Sequence, residues 1–474
     1  MKDIYLHNTL TGKKERLETA ETGKIKMYVS GPTTYNFIHL GNARPMVVFD
    51  TIRRYLEYRG FEVNYIQNFT DIDDKIINKA GETGEAPLKL AEKYIKEYEH
   101  DAKELNVKPA DVHPLVSRHI PEIIEMISGL IEKGAAYELD GDVYFSVRKF
   151  PGYGKLSGRS LDEMFSGARV NVNVRKKDPL DFALWKAARP KEPSWDSPWG
   201  KGRPGWHIEC STMAKKYLGE DFDIHGGGFD LVFPHHENER AQAEAYAGTR
   251  FCKYWLHNGM ITVKEEKMSK SLGNFFLVRE ILERYPGEII RFYLLSTHYR
   301  SPLDFDYDKL KEAGKGLDRI KTSYKLIREM LEQHDLAEGK SEVIQLLLEK
   351  TVQDFNAAMD DDFNTALAYG VVFYFCREVN SYLCNAHLYR GDLEDIAVCY
   401  RRLVEDVLGI RLAKDIPASG DDELVEDLLD IIIGIRQKAR KNKDWSLADD
   451  IRDRLNEINI VLEDTPKGVR WKRK

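Results

Sequence analysis

The most constraining stretch of the sequence is a strand, a glycine-containing turn, a helix and a second strand in direct succession. Ile25-Lys26-Met27-Tyr28-Val29 reads as a strand that stops at Ser30-Gly31-Pro32. A helix-period segment follows from about Asn42 to Tyr58, ends at Gly60, and is succeeded by a strand from Phe61 to Phe69. A right-handed crossover makes the two strands of such a βαβ unit parallel. The expected fold class is therefore α/β, with a Rossmann-like parallel-sheet domain at its centre.

The rest of the chain is organised around that unit. Two further helix-like stretches, around Lys75 and from Leu88 to Leu105, complete a first half over residues 1–112. Residues 113–205 read as an insertion, with a helix from Pro121 to Lys133, a hairpin around Asp140-Gly141 and a Pro/Trp/Gly-rich loop from Arg189 to Pro204. Strand and helix alternation resumes over 206–253, with a short strand at Phe222 to Ile224 and a helix from Pro234 to Ala247. A hairpin-like run, Tyr254 to Val263, opens a region over 254–306. Long charged segments at Lys309 to Leu331, Val343 to Met359 and Thr365 to Leu383 make 307–416 a helical bundle. Pro417-Ala418-Ser419-Gly420 reads as a linker into a small C-terminal module, 417–474.

Composition narrows the class of protein. Five widely spaced cysteines without a C-x-x-C argue against a disulfide framework, a four-cysteine zinc finger or a thioredoxin-type motif. No apolar run approaches the ~18 residues that span a bilayer. A cytoplasmic enzyme with no membrane partner is expected. The net charge of −7 argues weakly against nucleic acid, but it conceals a local excess. From Arg436 to the end there are twelve basic and seven acidic residues, a net +5, with Trp445 and Trp471 among the cations. Such a segment is either a solvated tail or a surface on which unpaired bases stack.

Several residues carry chemistry. Gly31-Pro32-Thr33-Thr34-Tyr35 and His39-Leu40-Gly41-Asn42 lie where a strand gives way to a helix, and helix-start amides suit an anion such as a nucleotide phosphate. An ordinary βα turn is the alternative reading. Lys267-Met268-Ser269-Lys270-Ser271 places two lysines three apart in a loop, which can meet a polyphosphate or be merely solvated. His235 and Glu239 share a helix face at four-residue spacing, and with Cys210 they form a plausible zinc donor set. A surface His–Glu pair and a packed cysteine would look the same, and His236 is a rival ligand.

Together the turn and the Lys267–Ser271 string resemble the HIGH and KMSKS signatures of class I aminoacyl-tRNA synthetases. Trp206-His207-Ile208-Glu209-Cys210-Ser211, His225-Gly226-Gly227-Gly228-Phe229-Asp230, Phe233-Pro234-His235-His236-Glu237-Asn238-Glu239 and Thr70-Asp71-Ile72-Asp73-Asp74-Lys75 resemble the cysteinyl-tRNA synthetase family in particular. The resemblance runs over nearly the whole chain. It implies that L-cysteine is activated with ATP to cysteinyl-adenylate and passed to the 3′ end of tRNA(Cys), by a chain expected to act as a monomer. It assigns His39, Asn42, Lys267 and Lys270 to catalysis, and these four with Pro32 and Gly41 to ATP. Gly31, Thr70, Trp206, His225 and Asp230 fall to the amino acid. One Zn2+ would be held by Cys210, His235 and Glu239 and select the substrate thiol, and Mg2+ would accompany ATP. The 254–306 region would contact the tRNA stem beside the KMSKS loop. The helical bundle would bind the anticodon stem, and the C-terminal module the anticodon.

Two positions depart from the family pattern. Ser30 stands where a fourth zinc ligand, a cysteine, is usual. Either zinc is lost, or three ligands hold it and the substrate sulfur takes the open position, as in catalytic zinc sites generally. Asn42 stands where the signature usually has a second histidine; its amide can donate to a phosphate oxygen but carries no charge. The alternatives are a mycothiol-type cysteine ligase, which needs no anticodon module, and a catalytically inactive tRNA-binding paralogue.

Overall fold

The computed structural model describes residues 3–473, apart from 162, 165–175, 191, 265, 268–274, 333–335, 385–386, 413–419, 459 and 466–467. The chain divides into two compact units, Met1–Leu412 and Ala413–Lys474.

The first unit opens with a short antiparallel pair, β1 (Tyr5–Asn8) and β2 (Lys13–Arg16). The βαβ unit follows as β3 (Lys24–Val29), α1 (Leu40–Tyr58) and β4 (Glu62–Gln67), with its strands parallel. Met46, Val47, Phe49, Ile52, Tyr55 and Leu56 bury one long face of α1, which accounts for its length. Gly60, at φ 91°, reverses the chain after it. Arg54 and Arg291 both pair with the buried Asp50 carboxylate, tying α1 to the distant helix Gly287–Leu294. Removing Asp50 would leave two guanidinium groups buried without their counter-ion.

Helices α2 (Asp74–Thr83) and α3 (Pro87–Glu104) lead into the insertion, which begins with α4 (Ile120–Glu132). Its core is an antiparallel sheet in the order β5 (Ala136–Leu139), β6 (Asp142–Phe145), β7 (Phe182–Ala187), β8 (Gly202–Pro204). The helix Ile208–Leu218 returns the chain to the central sheet through β9 (Phe222–Gly228), the helix Glu237–Ala247 and β10 (Cys252–Asn258). The central sheet is parallel, in the order β10-β9-β3-β4. Chain order therefore runs outward in opposite directions from the β3–β9 pair. That is the switch point at which open α/β sheets form a crevice beyond their carboxyl ends.

Two expectations are corrected. Tyr254 to Val263 is no hairpin: β10 joins the central sheet, while β11 (Ile261–Val263) pairs with β12 (Glu266–Lys267) and β13 (Leu303–Asp304). The boundary expected between residues 253 and 254 accordingly falls inside β10. The helices Tyr307–Leu331, Glu342–Asp360, Thr365–Tyr382 and Arg390–Tyr400 then share one apolar core with α1 and the Gly287–Leu294 helix. Among the described residues no helix is long and apolar enough to cross a membrane.

The second unit pairs the helices Gly420–Lys441 and Trp445–Glu457 with a hairpin of β14 (Ile460–Thr465) and β15 (Gly468–Arg473). A small core of Leu429, Leu455 and Ile460 holds it, with Trp471 packed against that core. Trp445 stays exposed.

Candidate active site

Beyond the carboxyl ends of β3 and β9 lies a cavity of about 290 Å³. One side of its wall is the start of α1, including His39, Gly41, Asn42 and Pro45, and the turn at Ser30 and Gly31 joins that side to the other. The other side carries Trp206, Cys210, Gly228, Asp230 and His235, and Thr70 and Lys75 contribute from the segment after β4.

At the α1 end, His39 occupies the N-cap position and its backbone N–H donates to Asn42 Oδ1 at 3.3 Å. Asn42 thus spends its acceptor on the helix start and retains two amide protons for another group. Pro45 lacks the N–H that would bond the Gly41 carbonyl, so the first turn of α1 has one helix hydrogen bond fewer. Gly31 is required by crowding: a Cβ there would lie 1.6 Å from the Asn68 carbonyl oxygen. Its N–H donates to Asn68 Oδ1 at 2.9 Å, which fixes the turn after β3.

The opposite wall is a buried cluster. One ligand atom each of Cys210, His235 and Glu239 lies within 4.8 Å of the others. Cys210 comes from the first turn of the Ile208–Leu218 helix, and Glu239 from that of the Glu237–Ala247 helix. His235 lies just before the latter. Glu239 Oε2 pairs with His225 Nε2 at 2.8 Å. Glu239 Oε1 lies 2.8 Å from His235 Nε2, yet it is buried and accepts no hydrogen bond. Burial opposes ionisation of Glu239, but His225 and His235 outweigh it and bring its pKa down to about 2. Burial pushes the Cys210 thiol well up, against the opposing pull of the Tyr28 and Ser30 hydroxyls. A thiol, an imidazole and a carboxylate with an unsatisfied oxygen, converging on one point, fit a zinc ion.

A layer of histidines holds this cluster. His207 Nδ1 meets His235 Nδ1 at 3.0 Å, and the Trp206 ring stacks on His235 with centroids 4.3 Å apart. Ser30 Oγ lies 3.0 Å from His236 Nε2, and His236 Nδ1 lies 2.8 Å from His257 Nε2. A Cβ on Gly227 would come within 2.8 Å of His236 Cε1, so this glycine admits the imidazole. Burial lowers His207 and His236 well below the ordinary histidine value, and His257 to about 3.

Comparison with known proteins supplies the context for this geometry. Residues 16–315 match the model of the class I (C) tRNA synthetase catalytic domain, residues 354–413 the DALR domain, and residues 429–471 the cysteinyl-tRNA ligase anticodon binding domain. The cysteine–tRNA ligase of Pelotomaculum thermopropionicum is 60% identical over 483 residues, covering 99% of this chain and 100% of that protein. The chain belongs to the cysteine–tRNA ligase family. A second family member, from Heliobacterium modesticaldum, is 58% identical over 99% of both chains.

Solved structures show the fold. Mycobacterium tuberculosis methionyl-tRNA synthetase in complex with methionyl-adenylate superposes with a TM-score of 0.60 at 13% identity, over 82% of this chain and 92% of that one. A LeuRS–tRNA–LeuAMS ternary complex from Agrobacterium radiobacter gives 0.62 at 12% identity, over 83% and 85%.

The cavity brings together most residues expected from the family signatures. Ser30, Gly31, Pro32, His39, Gly41, Asn42, Thr70, Trp206, Cys210, Asp230 and His235 all line it. Glu239 stands directly behind His235. His225 is a correction: it is fully buried behind Glu239, stacked on Trp255, and positions the carboxylate instead of lining the amino-acid pocket. Lys270 lies outside the described residues, and Lys267 is placed by its β12 backbone alone. Sequence reasoning missed Asn68, His207 and His257. His207 sits inside the quoted Trp206–Ser211 string and Asn68 two residues before Thr70; no comparable string marked His257.

Proposed function

We propose that the chain activates L-cysteine with ATP and transfers it to the 3′ end of tRNA(Cys), in the cytoplasm. The observation that carries this reading is the Cys210–His235–Glu239 cluster on the wall facing the α1 start, within one cavity of a family member matched end to end. The cysteine carboxylate attacks the α-phosphate in line, and a terminal ribose hydroxyl then attacks the adenylate carbonyl. Neither step needs a protein nucleophile, so the protein's part is to position groups and offset charge. The α1 amides, the Asn42 amide and His39 meet the phosphates. Lys267 and Lys270 would stabilise the departing pyrophosphate, and Mg2+ accompanying ATP would neutralise phosphate charge. Gly31, Thr70, Trp206 and Asp230 shape the amino-acid side.

Cys210, His235 and Glu239 would hold zinc, which supplies an open position that a thiol fills and a serine hydroxyl fills poorly. His207 and His225 orient the ligands, as hydrogen-bonded partners of metal-binding groups do. The basic second unit, with its exposed Trp445, would take the anticodon, and the helices from Tyr307 to Tyr400 the stem.

ATP–pyrophosphate exchange with cysteine and with serine, followed by charging of tRNA(Cys), tests the reading. Exchange with cysteine and charging of the tRNA are expected. Exchange without charging would point to a small-molecule cysteine ligase, and absence of both to an inactive tRNA-binding protein.

A further inference from the structure

Position 30 faces the cluster with an oxygen where the family pattern has a sulfur, and that oxygen is built into a buried chain. Ser30 Oγ lies 3.0 Å from His236 Nε2. His236 Nδ1 lies 2.8 Å from His257 Nε2, and His257 Nδ1 lies 2.8 Å from Thr9 Oγ1. Thr9 is itself fixed by its N–H, which donates to the Trp255 carbonyl on β10 at 2.9 Å. The inner end of the chain opens on the cavity, which Ser30 and Cys210 both line, and the Cys210 thiol itself donates to Asn68 Oδ1 at 3.7 Å.

A link between two imidazole nitrogens carries one proton, so the chain has two polarities. In one, Ser30 gives its proton to His236 and the dipoles run outward to Thr9. In the other, Thr9 donates to His257, His257 to His236, and His236 Nε2–H to Ser30 Oγ. Only the second leaves the Ser30 hydroxyl proton available to the cavity. Cys210 binds a metal as a thiolate, and an anion at the inner end selects the polarity whose dipoles point towards it.

We infer that Ser30 is a hydrogen-bond donor to the Cys210 sulfur and no metal ligand, oriented for that task by His236, His257 and Thr9. This rests on the three-ligand reading of the metal centre and assigns the residue that departs from the family pattern. The consequence is electronic. A hydrogen bond to the thiolate draws charge from sulfur, so the metal receives less donation than it would from a second cysteine at position 30. Ser30 is a positioning and tuning residue, and so is Thr9 at the far end.

Cobalt substituted for zinc reads this directly, because thiolate-to-cobalt charge transfer reports both the number of sulfurs and their hydrogen bonding. The native chain should show the intensity of one thiolate. Ser30→Cys should about double that intensity by adding a second thiolate ligand. Ser30→Ala should keep the cobalt stoichiometry and the ligand-field bands while its charge-transfer band moves to lower energy. Thr9→Val should move the band in the same direction by less, and Thr9→Ser should restore it. Loss of cobalt or changed ligand-field bands in Ser30→Ala would overturn the inference by making Ser30 a ligand. An unmoved band in both Ser30→Ala and Thr9→Val would overturn it by removing the hydrogen bond. A native chain that takes up no cobalt overturns the three-ligand reading, and this inference with it.

Discussion

The two ends of the cavity are built on opposite plans. At the thiol end Cys210, His235, Glu239, His225, His236 and His257 are buried, and each imidazole is bonded to another residue of the cluster or its surround. At the nucleotide end His39, Gly41 and Asn42 are half-buried, on a helix start where Asn42 spends its side-chain oxygen and keeps its amide protons. On the proposed function, the difference follows from what each end would recognise. A thiol must be told from a hydroxyl of nearly the same shape, which needs a ligand set fixed before the substrate arrives. A triphosphate brings its own charge and can recruit amides and lysines around itself. The thiol end should therefore fail sharply when one member is removed, and the nucleotide end by degrees.

The sharpest break is Cys210→Ala. It should abolish stoichiometric zinc in the dialysed protein and lower the preference for cysteine over serine by roughly 10⁴-fold, the scale of a site built round one specific contact. Zinc analysis and exchange assays with both amino acids check it. A native protein and a variant that are both zinc-free would remove the metal from this end altogether. Lys270→Ala should cost about 10²–10³-fold in adenylate formation, the scale of one transition-state donor. Cysteine binding, measured without ATP, should hardly change. Equal losses in both would place Lys270 at the wrong end of the cavity.

The same contrast explains what could be read from the sequence. Motifs that sit next to each other in the chain, such as His39-Leu40-Gly41-Asn42 or the pair His235 and Glu239, were legible because a helix brings i and i+4 together. The parallel sheet was legible from one βαβ unit. The β9–β3 pairing was not, although it makes the crevice, because it joins segments some 200 positions apart. His257 escaped for the same reason: it acts through His236 from a different strand. The Tyr254 to Val263 run misled because two adjacent strands with a short connection look like a hairpin, whereas these enter different sheets. His225 misled differently: its string marked the right place, but its ring supports Glu239 from behind.

Acid should find the thiol end before it finds the nucleotide end. Burial holds the folded-state pKa of His257 at about 3, against about 6.5 in an unfolded chain. Between those values the unfolded state binds a proton that the fold refuses, so stability is present above pH 6.5 and is lost as pH falls. One such histidine contributes a slope of up to ~1.4 kcal/mol per pH unit. Glu239 is lowered too, to about 2, but its contribution is lost only below the ordinary carboxylate range, in a separate window. Urea unfolding of the metal-free chain at pH 7, 6 and 5 should show falling stability, and His257→Asn should make that slope shallower by about 1 kcal/mol per pH unit. An unchanged slope would mean that His257 takes up a proton inside the fold.

The smallest effect tests whether Asn42 serves the helix or the nucleotide, since its two ends do different things. Its oxygen accepts the His39 N–H, and its amide protons face the cavity. Asn42→Ala removes both, at a cost of about 0.5–1.5 kcal/mol for the lost hydrogen bond to the N-cap N–H. Asn42→Asp keeps the acceptor, and a carboxylate in the first turn favours the α1 dipole. It also sets a negative charge where the phosphates arrive. Stability and function should then move in opposite directions. Thermal melting of Asn42→Asp should match or exceed the native chain, while its KM for ATP in pyrophosphate exchange rises above that of Asn42→Ala. If Asn42→Asp instead exchanged like the native protein, Asn42 would be a cap alone, and the phosphates would rest on His39, the helix amides and the lysine loop.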